Sequence, residues 1–491
     1  MKYLKRAAIA SLGIVFLLVL LSGIGLFWLL WESREAGAGY DAKILATGVF
    51  VLGRTPESIV EQELRYMPMR GYTVDREAKT VTAWIFPSAK RTAVYRECLG
   101  VALALNNDVQ ALKAQARPGL IPNLESLKNQ PWPMGDAPSG RPKPEGYDEA
   151  KVLKAVDRLF SEPRRFPTRN TRAVVVAYKG EIIAERYAPG FGPDQRLAGW
   201  SAAKSVFHAL MGIAVRDGKI KISDPAPVPA WHVPGDPRAA ITLDMLLRMR
   251  SGIDYNDFMF NKRLRLAELL FGRTGAAEYF MDNPLAYPPD THFAYASGST
   301  NLLSWVLRRA YGDDAYYALP YKELFSKLGM RSACFEADAT GTLIGSSYFF
   351  ATARDFIRFG LLYQNDGVWQ GERILPEGWV ASGRTPSPKG PDHYGAHWWL
   401  STAGDRAKAK ARGIRLPEDA FMANGFEGQK LLVIPSMQLV LVRLGLCYFH
   451  DFSLLEELDD LFEAFPETRE PIARGDESLQ GQENEKESGP R

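Results

Sequence analysis

Ser201-Ala202-Ala203-Lys204 constrains this chain more than any other stretch. It sets a hydroxyl and an amine three residues apart where the pattern turns helical, over Ser205–Arg216. On a helix, residues i and i+3 share a face, so a helical reading lets the lysine nitrogen reach the serine oxygen. A free serine is a poor nucleophile, and an amine held neutral by burial can take its proton. The pair therefore asks for a helix whose first turn is sunk into a low-dielectric core. Ser-x-x-Lys also arises by accident on ordinary surface helices, so these two residues need support from elsewhere in the chain.

The N-terminus supplies a compartment. Met1-Lys2-Tyr3-Leu4-Lys5-Arg6 is basic, and an uncharged run from Ala7 to Trp31 comes next. As a helix rising about 1.5 Å per residue, that run is about 37 Å long, enough to cross a bilayer with some tilt. The basic residues before it and the mixed Glu32-Ser33-Arg34-Glu35 after it place the N-terminus in the cytoplasm. Trp28 and Trp31 then anchor the outer interface. The expected location is a bacterial inner membrane, crossed once, with the rest of the chain periplasmic or otherwise extracytoplasmic. A cleavable signal peptide has an apolar core of only about 7–15 residues, shorter than this run. Ala36-Gly37-Ala38 nevertheless offers small residues just beyond it, so cleavage stays open beside the favoured uncleaved anchor.

Composition narrows the chemistry. A net charge of +3 over 491 residues leaves no basic footprint for nucleic acid. Cys98, Cys334 and Cys447 are far apart, with no metal-ligand spacing and no disulfide framework. One disulfide is possible in an oxidising compartment, but nothing selects a pair. The histidines are scattered and no His-Glu-x-x-His occurs, so neither a metal nor another cofactor is expected. The expected partners are a small-molecule substrate and, through the N-terminal helix, a membrane. Oligomeric state is open.

The pattern divides the chain into five regions. Residues 1–31 are the anchor, and 32–116 form a small N-terminal region with a strand-like stretch at Ile44–Leu52. That region also holds a helix start at Thr55-Pro56 and a strand near Thr80–Phe86. Residues 117–146 are a proline- and glycine-rich linker, able to wrap over the surface of the main domain. The main domain, 147–467, opens with a helix over Ala150–Phe160 and a hairpin turning at Lys179-Gly180. Its middle is helical, with Thr242 capping one helix and another over Leu302–Ala310. It closes with a hairpin about Pro435–Gln438 and an amphipathic helix, Leu454–Phe465. Strand pairs at both ends of a helical middle predict an α+β fold in which N- and C-terminal segments share one antiparallel sheet. Residues 468–491 are charged and lack aromatics, and are expected to be disordered.

Two later sites come after Ser201 and Lys204 in order: Tyr295-Ala296-Ser297, then Gly425-Phe426-Glu427-Gly428-Gln429 at the start of the last hairpin. Ile241–Gly252, Thr352–Gly360 and Ile374–Trp379 fall between and around them. This series resembles the serine β-lactamase and penicillin-binding-protein superfamily over Tyr147–Phe465, and best its class C-like branch, which uses a tyrosine in the second motif. Tyr-x-Ser with Gly-x-x-Gly-Gln looks most like the 6-aminohexanoate-oligomer hydrolase and carboxylesterase-like subgroup. The resemblance implies a β-lactamase/transpeptidase-like fold, an antiparallel sheet flanked by helices plus a helical subdomain. It also implies an acyl-enzyme on Ser201.

The same resemblance implies the roles. Lys204 accepts or shares the serine proton, and Tyr295 serves as base in acylation and as acid toward the leaving group. The backbone N–H groups of Ser201 and Gln429 form the oxyanion hole. Gly428 allows the turn that position 429 needs. Ser297 either orients Lys204 or caps the helix after it. Trp398 and Trp399, with Tyr394, either wall a substrate cleft or belong to the core. His208 is expected to be packed rather than catalytic. Where class C β-lactamases carry Lys-Thr-Gly, this chain has Phe426-Glu427-Gly428. The missing cation disfavours β-lactams and peptidoglycan stem peptides, and Glu427 either repels anionic substrates or is solvated. The expected activity is hydrolysis of small amides or esters. The alternatives are a peptidoglycan-directed D,D-peptidase or esterase, and a non-catalytic binding protein with this fold.

Overall fold

Thr171–Tyr178 (β1) is buried along its whole length. Its side chains alternate between two cores: Ala173, Val175 and Ala177 enter one, Val174, Val176 and Tyr178 the other. A strand covered on both faces belongs inside a sheet. β1 turns at Lys179-Gly180 into Glu181–Tyr187 (β2). The remaining strands are Trp399–Leu400 (β3), Phe421–Gly425 (β4), Gln429–Ile434 (β5) and Leu439–Gly445 (β6). The sheet runs β3-β4-β5-β6-β1-β2, antiparallel at every step. The two ends of the main domain thus meet at β6 and β1, as the distribution of hairpins predicted.

The computed structural model describes residues 31, 34–67, 71–85, 88–105, 108–163, 168–257, 265–387, 389–448 and 458–465. The predicted membrane span up to residue 30 and the tail from residue 468 lie outside them. Among the described residues no helix is long and apolar enough to cross a membrane.

Glu149–Leu159 covers one face of the sheet with Val152, Ala155, Val156 and Leu159, a helical stripe, beside Leu461 and Phe462 of Asp459–Phe462. The other face carries Ala353–Gln364, held so close that a Cβ on Gly360 would sit 2.5 Å from Val440. Ala203–Arg216, buried from Ala203 to Ala214, shares that core. Leu243–Leu247 starts where Thr242 Oγ1 accepts from Met245 N–H at 3.2 Å, as predicted. With Ala276–Met281 and Ser297–Tyr311 it builds the helical part.

Residues 34–50 are helical, which overturns the strand read over Ile44–Leu52. Apolar runs fit either element, and the deciding signal is the spacing of Ala38, Ala42, Leu45, Ala46 and Val49, all buried. Pro56–Glu61 comes next, its N-terminus capped by Thr55 as predicted. Gly71–Asp75, Thr80–Trp84, Lys90–Arg96 and Gly100–Leu103 then form a four-stranded sheet in sequence order.

These pieces are fastened to the main domain by buried polar contacts. Lys43, 3% exposed, pairs with Glu336, 0% exposed, whose carboxylate also accepts from Thr47 Oγ1 and from Val101 N–H at 2.9 Å. Arg96 donates to the carbonyls of Ala337 (2.6 Å) and Asp338 (2.8 Å). The 117–146 segment lies on the same body. Trp132 is buried with its Nε1 donating to Gly180 O at 2.8 Å, and Asp136 accepts from Arg331 and Arg358, each at 2.8 Å.

Candidate active site

A short 3₁₀ turn, Trp200–Ala202, leads into Ala203–Arg216 with Trp200 held at φ 45°. A non-glycine residue in the left-handed region is strained, and here the strain sets Ser201 on a tight turn at the mouth of the helix. The end of β4 closes on that turn. A Cβ on Gly425 would come 2.1 Å from Gly199 O, so only glycine allows the approach.

Lys204 is 1% exposed, and its ammonium donates to Ser201 Oγ (3.0 Å), Ser297 Oγ (3.0 Å) and the Ser346 carbonyl (3.1 Å). Burial lowers its pKa to about 8, against the opposing pull of Asp257, whose Oδ2 lies 4.0 Å away. An amine tuned to that range is mostly cationic at neutrality yet close enough to deprotonation to act as a base.

Ser297, the first residue of its helix, donates Oγ–H to Asp257 Oδ2 at 2.5 Å and N–H to Asp257 Oδ1 at 2.9 Å. It accepts from Lys204 and donates to Asp257, so it orients the lysine rather than capping the helix. Burial pushes the Asp257 carboxyl up, while the Lys204 charge and the Ser297 hydrogen bonds pull it down. Asp257 was not singled out in the sequence. It lies five residues past Gly252 in a stretch with no motif, and only the fold brings it to Lys204.

The Tyr295 ring lies over Lys204 Nζ, 4.8 Å from nitrogen to centroid. Burial, and then the Asp257 charge, hold its phenol well above the ordinary value, while a hydrogen bond with Ser201 acts the other way. A phenol so shifted stays protonated at neutrality. At neutrality Lys204 is thus nearer to deprotonation than Tyr295.

Trp398 and Trp399 part company. Trp398, just before β3 and 0% exposed, is packed among Tyr363, Phe421 and Phe359. It cannot wall a cleft, which corrects its assignment to substrate binding. Trp399, half-buried, packs on Tyr295 at 5.5 Å and Tyr394 at 5.1 Å, beside the catalytic cluster.

In the third motif, Glu427 (φ 62°) and Gly428 (φ 79°) make two consecutive left-handed steps into β5. The Gln429 side chain is turned to the protein interior, donating to Gly445 O at 2.7 Å and accepting from Gly445 N–H at 3.0 Å. What Gln429 can offer the cleft is therefore its backbone. Glu427 is partly buried, and its Oε2 accepts from Trp200 Nε1 at 2.9 Å. Burial raises its pKa to about 7, with Trp200 and Arg172 opposing. His208 is packed, as expected, with Nδ1 at 2.7 Å from the Tyr363 hydroxyl and its ring stacked on Trp379.

A buried lysine touching a serine at a helix mouth, inside an α+β body with this sheet, defines a serine hydrolase of the β-lactamase type. The chain belongs to the Beta-lactamase family, whose match spans residues 156–445. It is 28% identical over 337 residues to the 6-aminohexanoate-dimer hydrolase of Paenarthrobacter ureafaciens, covering 61% of this chain and 80% of that one. Among solved structures, one from Bacillus anthracis assigned as a 6-aminohexanoate-dimer hydrolase superposes with a TM-score of 0.50 at 22% identity. That superposition covers 60% of this chain and 78% of the other, and it shows the shared fold.

Proposed function

We propose that this protein hydrolyses small amides or esters through an acyl-enzyme on Ser201. The observation that carries the reading is the buried Lys204 amine at 3.0 Å from Ser201 Oγ. In the neutral form, Lys204 takes the hydroxyl proton as Oγ bonds to the substrate carbonyl carbon. The carbonyl oxygen becomes an oxyanion facing the backbone N–H groups of Ser201 and Gln429. As the carbon–heteroatom bond breaks, the leaving amine or alcohol receives a proton from Tyr295, which Lys204 resupplies. Water then attacks the acyl-enzyme with Lys204 again accepting the proton, and as the acyl–Oγ bond breaks Lys204 returns that proton to Ser201 Oγ, which restores both groups as the acid product leaves.

Substrate preference rests on the third motif. Where a lysine would receive a substrate carboxylate, Phe426 is 47% exposed and packs edge-on against Trp200 at 5.8 Å. An apolar rim without that cation favours linear amides or esters over β-lactams, and the 28%-identical 6-aminohexanoate-dimer hydrolase, named for a linear amide, supports the same choice. The run Ala7–Trp31 supports a membrane-anchored enzyme with its site on the extracytoplasmic side. A topology reporter fused after Tyr40 tests that placement.

Burst kinetics with p-nitrophenyl acyl esters and nitrocefin, paired with intact mass spectrometry, test the chemistry. An ester burst with an acyl adduct, lost in Ser201→Ala and with nitrocefin left intact, is the expected result. Rapid nitrocefin turnover would overturn the substrate assignment, and no adduct with any acyl donor would overturn the catalytic reading.

A further inference from the structure

The family match begins at residue 156, and the chain before it forms one side of a half-open cavity of about 260 Å³ against the hydrolase. Phe50, Tyr95 and Ile121 come from the N-terminal side, and Arg196, Tyr321 and Phe335 from the other. This cavity is separate from the cluster around Ser201, none of whose residues lines it.

Charge in its walls cancels everywhere but at one group. Glu336 is engaged by Lys43, Thr47 and Val101 N–H. Arg331 faces Asp136, Asp194 and Glu125. Arg196 donates only to backbone, through Nε to Ser332 O at 2.7 Å and through Nη1 to Val51 O at 3.2 Å. Among the described residues no carboxylate pairs with it. Its charge reaches the phenols of Tyr95 and Tyr321 and the thiol of Cys334 across the cavity. A guanidinium fork with a free edge matches a planar carboxylate, and a neighbouring phenol can donate a further hydrogen bond to it. The acids Glu125 and Glu336 in the same walls oppose a multiply charged anion, while the aromatic and aliphatic lining suits a hydrocarbon body.

From this juxtaposition we infer that the cavity binds a small organic monocarboxylate, its charge met by Arg196 and Tyr95 and its apolar body by Phe50, Ile121 and Phe335. Because the walls come from both sides of the seam, the bound acid ties the N-terminal region to the hydrolase and stabilises the folded chain.

Calorimetric titration of the full chain carrying Ser201→Ala, which prevents turnover, tests this with benzoate and hexanoate. Benzamide and hexanamide serve as neutral isosteres, and inorganic phosphate as the competing anion. The acids should bind saturably, the amides about tenfold more weakly or worse. Benzoate should also slow maleimide labelling of Cys98 and Cys334, both in the cavity wall. Arg196→Gln should weaken acid binding by about tenfold or more. Since Arg196 also holds two carbonyls, Ile121→Trp is the second variant: it fills the cavity without removing a polar contact and should abolish binding. Three results overturn the inference: no saturable binding of either acid, amides or phosphate binding as tightly as benzoate, or unchanged affinity in Ile121→Trp.

Discussion

Asp257→Asn separates the charge of Asp257 from its shape. The carboxylate stands 4.0 Å from Lys204 Nζ, and its removal withdraws support from the ammonium while burial stays. The lysine pKa must fall. At that distance and an effective dielectric of about 20, the interaction is about 4 kcal/mol, which is about 3 pH units. That is a ceiling, because the amine keeps its bonds to Ser201, Ser297 and Ser346. A drop of about 1–3 units is expected. The profile of kcat/KM against pH for a p-nitrophenyl ester reports the free enzyme, so its rising limb should lie near pH 8 in the wild type and move to lower pH in the variant. Ser297→Ala is the control: it removes one hydrogen bond to the ammonium but neither charge, and its limb should move to lower pH by less than that of Asp257→Asn. A limb that does not move in Asp257→Asn, or moves to higher pH, would refute either Lys204 as the base or an ionised Asp257 beside it.

Other perturbations have signs fixed by the structure. Asp41 is 1% exposed, neither carboxylate oxygen has a partner among the described residues, and burial raises its pKa to about 7. The folded state therefore holds the proton more tightly than the unfolded state. Stability falls as pH rises from about 4 to about 7, on the order of 4 kcal/mol in total. Asp41→Asn should raise Tm at pH 8 and change it little at pH 4, and a Tm gain independent of pH would contradict this. Lys43→Ala leaves Glu336 buried without its cation and should cost about 3–5 kcal/mol in urea unfolding. A loss below about 1 kcal/mol would mean the pair is solvated. Gly425→Ala must push β4 off the Ser201 turn, and it should lower kcat by about 10²-fold with the circular dichroism spectrum unchanged. Wild-type turnover would refute the close approach.

What the sequence disclosed, it disclosed through short-range geometry. Ser201 and Lys204 touch because three residues of helix place them so, and the Lys179-Gly180 and Pro435–Gln438 turns set the strands on either side. Tyr295 and Ser297 needed the resemblance, since nothing local links residue 297 to residue 204. Asp257 needed the fold itself, because it reaches Lys204 across a tertiary gap and no pattern marks it. Ile44–Leu52 was misread because an apolar run carries no period until its buried members are known. Trp398 and Trp399 show a finer limit. Trp399 opens β3 and Trp398 stands just before it, so which of the two faces the cleft depends on where the strand begins and on its register.

Glu336 ties together lengths of chain that a family boundary would divide. Its cation arrives from Lys43, far upstream, while its own N–H donates to Tyr348 O at 3.0 Å, two residues beyond the Ser346 carbonyl that receives Lys204. A recombinant that exchanged the first part of this chain for another would strand an anion at the centre of the protein, within a short span of the group that activates the nucleophile. The catalytic portion is thus not a portable cassette. Inheritance of its chemistry is bound to inheritance of the helix at 34–50, and positions 43 and 336 are free to change only together.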